Sequence, residues 1–149
     1  MTTESALTPA QRDDLRAIAA MMIPASAEYH VPGADDATVQ AEILATLGRD
    51  ADKVREALDH LARLAGGRLA DLGDEQRAAV AKSFRAQGGA AAATLVRVVL
   101  QCYYRDDRVL RSLGLELRPP FPKGHTLEQG DWSLLEPVKA RPSMGRRAR

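Results

Sequence analysis

At 149 residues and 45% apolar content, the chain is sized for one domain with a real core. A formal net charge of +1 argues against broad electrostatic capture of nucleic acid, and no direct membrane insertion is expected. Only 4% of the residues are aromatic, so alanine carries much of the apolar count and favours closely packed helices. Cys102 is the only cysteine, which excludes an intramolecular disulfide and a multi-cysteine metal site.

The first helix is predicted from Thr8, a good N-cap, with Pro9 at the first helical position and Gln11 at capping-box spacing. Leu15, Ile18, Ala19 and Met22 share one face of it, and Pro24 stops it. Its Ile18–Ile23 run is too short to span a membrane. The N-terminus also lacks the basic and long apolar regions of a signal peptide. The expected compartment is the cytoplasm, or the periplasm if a signal-bearing partner carries the chain out.

After a loop with a Pro32-Gly33 turn signal, a second helix is predicted from Asp35 or Asp36 to Leu47. Its inward residues are Val39, Ile43, Leu44 and Leu47, and Gly48 fits its C-terminal cap. The third begins near Asp50 and has the clearest period, with Val54, Leu58, Leu61 and Leu64 inward and Gly66-Gly67 as its stop. Asp74 and Glu75 open the fourth, which buries Val80 and Phe84 and ends at Gly88-Gly89.

The fifth helix, about Ala90 to Tyr104, is apolar most of the way round, apart from a stripe of Thr94, Arg97, Gln101 and Arg105. Such a helix is expected at the centre of a bundle. A short sixth helix follows Asp106 or Asp107, holds Val109, Leu110 and Leu113 inward, and ends at Gly114. The expected fold is all-α: a bundle of five to six helices over residues 1–114, then an extended proline-rich arm over 115–149.

The arm holds five of the eight prolines and two of the six aromatic residues, Phe121 and Trp132. It has no sustained period, so it cannot build a core alone; it either folds back over the fifth helix or docks on another chain. Tryptophan and arginine often dominate binding, and proline reduces the entropy lost on docking. The expected partner-binding residues are Pro119, Pro120, Phe121, Pro122, Trp132, Leu134, Leu135 and Arg141. The basic end, with Lys139, Arg141, Arg146, Arg147 and Arg149, reads first as a solvated terminus and second as a dock for an acidic partner.

Chemistry is sparsely signalled. No G-x-G-x-x-G or H-E-x-x-H motif occurs, and His30, His60 and His125 fall in a loop, a helix and the arm. Cys102 sits in the most apolar helix, where a thiol is usually inert packing. The pairs Asp13-Asp14, Asp35-Asp36 and Asp106-Asp107 are read as helix-start acids serving exposed amides. No catalytic, cofactor-binding or metal-binding residue is expected in this chain.

The Leu7-Thr8-Pro9 opening, the Met22-Ile23-Pro24 helix end, the loop to Pro32-Gly33 and the Tyr103-Tyr104-x-Asp106 turn together resemble the gluconate 2-dehydrogenase subunit 3 family over residues 7–114. The segments Pro119–Gly124 and Gly130–Leu135 resemble a subgroup of that family whose large subunit is a glucose-methanol-choline-type oxidoreductase. The resemblance implies a non-catalytic small subunit of an FAD-dependent sugar or alcohol dehydrogenase. The large subunit carries FAD and the reaction, and the small one supports its stability, maturation or assembly. A cytochrome c subunit often takes the electrons. Many relatives also carry a twin-arginine signal, and its absence here leaves an export-escort role unsupported. The alternatives are a stand-alone helical adaptor or regulatory protein, or a small helical enzyme using Cys102 or a cluster of Arg97, Gln101, Tyr104 and His60.

Overall fold

The computed structural model describes residues 7–119, 121–124, 126 and 129–142. Among them are seven α-helices and no strand, so the fold is all-α. The chain divides into two units, one ending at Leu117 and the other beginning at Arg118.

The first unit is built from six helices. α1 (Pro9–Met22) starts in a complete capping box: Thr8 Oγ1 accepts from the Gln11 amide at 3.2 Å, and Gln11 Oε1 accepts from the Thr8 amide at 3.0 Å. α2 (Ala37–Thr46) begins at Asp36, whose carboxylate accepts from the Thr38 amide at 2.9 Å. α3 (Ala51–Ala65) ends at Gly66, whose φ of 66° is the left-handed conformation that glycine adopts without a Cβ penalty. α4 (Asp74–Gln87), α5 (Ala90–Tyr103) and α6 (Asp107–Ser112) complete the bundle. Short 3-10 turns at Gly48–Asp50 and Leu69–Asp71 lie between helices.

The third helix is the hub. α3 packs against α1, α4 and α5, whereas the apolar wrap of α5 predicted that helix at the centre. Val54, Ala57, Leu58 and Leu61 of α3 are fully buried and meet Leu15, Leu69, Leu95 and Val99 in one core. Each such leucine contributes about 1.5–3 kcal/mol on burial. The outer face of α3 carries the short-range ion pairs Lys53–Glu56 and Arg55–Asp52, as an amphipathic helix should.

α5 buries Ala92, Leu95, Val98, Val99, Cys102 and Tyr103, but Val96 and Leu100 are exposed. Within the first unit, no described residue covers this apolar flank of an all-round apolar helix. Leu113, predicted inward, is also exposed, because α6 ends at Ser112 and leaves it on the C-terminal cap.

The acid pairs divide. Asp36 and Asp106 do cap α2 and α6. Asp13 and Asp14 instead lie past the first turn of α1 and serve distant partners: Asp13 pairs with Arg68, and the buried Asp14 accepts from the Ala70 amide at 2.9 Å. Two backbone bonds of 3.1 Å join Ser26 and Val31 across the loop after α1.

The second unit is more ordered than an extended arm. A 3-10 turn at Trp132–Leu135 runs into α7 (Glu136–Lys139). Asp131 starts it by accepting from the Ser133 amide at 2.9 Å, and Pro137 sits in the first turn, where its missing N–H is harmless. A Lys139–Glu136 pair at 2.7 Å spans the single turn.

Candidate functional site

Three of the segments that carry the resemblance, Met22-Ile23-Pro24, Pro32-Gly33 and Tyr103-Tyr104-x-Asp106, meet where the loop after α1 reaches the α5–α6 corner. Ile23 accepts from the Ala34 amide at 2.8 Å, and the Tyr103 hydroxyl donates to the Pro32 carbonyl at 3.1 Å. Burial, assisted by Tyr104 and Asp106, pushes the Tyr103 phenol above its ordinary pKa, which keeps it a donor. Between them, Gly33 presses on the chain: a Cβ there would come within 2.9 Å of the Ala25 nitrogen. Only glycine fits without a backbone shift.

Arg108 locks this corner. Its guanidinium donates to Asp106 at 2.7 Å and to Asp36 at 2.8 Å, so one cation joins the N-cap carboxylates of α2 and α6. The hydrogen bond from Arg108 lowers the Asp36 carboxyl from 3.8 to about 2 and lowers Asp106 as well. The arginine in turn is held firmly protonated. The geometry staples the start of α2 to the start of α6 through one cation.

Cys102 lies beside this corner and itself lines a cleft of about 580 Å3, together with Thr38, Glu42, Arg105 and Arg108. Its sulfur is 3.4 Å from Thr46 Oγ1, whose own proton goes to the Glu42 carbonyl at 2.7 Å. The thiol is therefore the donor in that contact. Arg105 faces Glu42 at 3.6 Å, so the cleft presents pairs rather than unmatched charge.

Of the cluster in the enzyme alternative, Arg97 and Gln101 bond each other, whereas the contacts of His60 and Tyr104 are with other residues. His60 bonds Gln87 at 2.7 Å and stands edge-on to Phe84, while Arg97 pairs with Asp50 at 2.8 Å and with Gln101 at 3.0 Å. Tyr104 is exposed and meets Tyr103 edge to face. Among the described residues no three His, Cys, Asp or Glu side chains group as a metal site requires, and no helix is long and apolar enough to cross a membrane.

The expected docking residues of the arm are solvent-facing. Phe121 is 85% exposed, Trp132 63% and Leu134 72%; Pro119, Pro122, Leu135 and Arg141 are exposed as well. Pro120 lies outside the described residues. Within this unit Arg118 donates to the Gly124 carbonyl at 2.6 Å. Trp132, Leu134, Leu135 and Val138 all fall on the helical turn, where a short-range period does exist.

A second surface carries no motif in the sequence. A groove of about 660 Å3 runs between α1, α4 and α5, floored by Ile18, Met22, Phe84 and Leu95 and edged by Met21 and Val96. The signal was present: α5 carries two apolar faces, whereas a bundle helix needs one. Comparison with protein-family models, with curated proteins and with solved structures gives no match.

Proposed function

We propose that this chain is a non-catalytic small subunit of an FAD-dependent sugar or alcohol dehydrogenase, and that its arm holds the flavin-bearing large subunit. The observation that carries the reading is the exposure of Phe121, Trp132, Leu134 and Val138 on a proline-stiffened segment. Large apolar groups gathered on a short ordered segment gain free energy by docking, and their partial pre-ordering lowers the entropy cost. The resemblance of residues 7–114 to small subunits of such dehydrogenases names the partner class. The hydrogen-bonded junction of Ile23, Pro32, Tyr103 and Asp106 gives those segments a common structural role.

In this reading FAD and the chemistry belong to the large subunit, and a cytochrome c subunit accepts the electrons. The small subunit promotes stability, maturation or assembly. The complex works in the cytoplasm, or in the periplasm where the large subunit carries the export signal.

The test is co-expression with a glucose-methanol-choline-type oxidoreductase encoded beside this chain, followed by pull-down and a flavin absorbance spectrum. Trp132→Ala is expected to weaken the complex by about 2 kcal/mol, the scale of a buried interface aromatic. Partner binding that survives deletion of residues 118–149 sinks the arm as the docking element. A stable chain that captures no flavoprotein points to an adaptor instead.

A further inference from the structure

The uncovered groove between α1, α4 and α5 has a shape and a charge pattern of its own. Ala93 and Val96 of α5 edge the groove, and the exposed Leu100 and the C-cap Tyr104 continue the same stripe beyond it, at spacings of three, four and four. That stripe spans about 16 Å at the helical rise of ~1.5 Å per residue, roughly three turns. Ridges at this spacing are what a second helix packs against, and small residues such as Ala78, Ala81 and Ala92 along the groove let its backbone come close.

Charge selects the occupant. Lys82 and Arg85 of α4 line the groove, and no acidic residue does. Lys82 and Arg85 have no ion-pair partner among the described residues. We propose that this groove seats an α-helix of another protein whose apolar ridge is flanked by acidic side chains, which lie against Lys82 and Arg85. The inference goes beyond the arm reading and does not require the partner to be a flavoprotein.

The experiment uses the full chain and two synthetic helical peptides, each with leucines at i, i+3, i+4 and i+7. One carries flanking glutamates and the other carries lysines at the same positions. Fluorescence anisotropy is expected to show saturable binding of the glutamate peptide only. The double variant Lys82→Glu/Arg85→Glu is expected to lose that peptide by about tenfold and to gain the lysine peptide, because complementary charge sets partner choice. Both substitutions are at exposed positions, and circular dichroism checks that helicity is kept. Val96→Asp is expected to remove binding with the fold intact. Equal binding of both peptides, binding of neither, or binding that ignores the charge reversal overturns the proposal. So does sedimentation showing that a second copy fills the groove, or saturable uptake of dodecanoate with the peptides ignored.

Discussion

Leu61 in α3 and Leu134 in the arm are the same side chain under opposite conditions: the first is fully buried and the second is 72% exposed. Both stand in segments rich in apolar residues, so composition does not separate them. Periodicity does. Leu61 recurs with Val54 and Leu58 on one face of a fifteen-residue helix, so its neighbours in sequence and in space cooperate to exclude water. Leu134 belongs to a 3-10 turn that runs into the single turn of α7, which can order its own backbone but has too little surface to bury anything. Burial follows from sustained periodic cooperation, and an apolar residue without it is available to a partner.

The largest expected break in that comparison is Leu61→Ala, which should cost about 2–5 kcal/mol by urea denaturation, the range for emptying a packed core site. Next is Asp14→Ala. It removes the acceptor that holds the Ala70 amide, and a loss of about 1–3 kcal/mol is expected for an orphaned buried donor. Asp14→Asn keeps an oxygen acceptor and should cost less, and it changes the pH dependence. Burial raises the Asp14 carboxyl above its ordinary 3.8, so the folded state keeps its proton where the unfolded state has lost it. That contribution is complete below 3.8 and is lost as pH climbs through the raised folded value. A stability curve for Asp14→Asn should lack this decline.

Arg108→Met comes third. The pairs it breaks are partly exposed, so about 1 kcal/mol is expected after solvent screening. Here the sign is reversed: Asp36, lowered to about 2, contributes stability above 3.8 that is lost as pH falls towards about 2. The variant should show a flatter acid limb over that window. The smallest effect is Leu134→Ala, expected within about 0.5 kcal/mol in the isolated chain. A cost equal to that of Leu61→Ala would mean that Leu134 has a core neighbour, and the contrast between the two regions would fail.

Helix existence was legible because its signals are local. Thr8-Pro9 with Gln11, Asp36, Gly66 and Asp106 each announce a helix end through one or two bonds to nearby amides or one dihedral angle. The periods of α1 and α3 likewise name their own buried faces. Asp14 was misread for the complementary reason. Its partner, the Ala70 amide, is far away in sequence, and an acid near a helix start looks like a cap until the fold supplies another donor.

The amino-acid sequence by itself therefore determined an all-helical chain, the main helix ends and an apolar arm without a sustained period, since capping, proline, glycine and spacing act over a few residues. Only the tertiary structure decided that α3 rather than α5 is the hub, that Arg108 staples two helix caps, and that one flank of α5 stays open beside Lys82 and Arg85. Those outcomes depend on which helices pack together and how much surface they cover. An apolar face records only that it can be buried, and its neighbours in space decide whether it is.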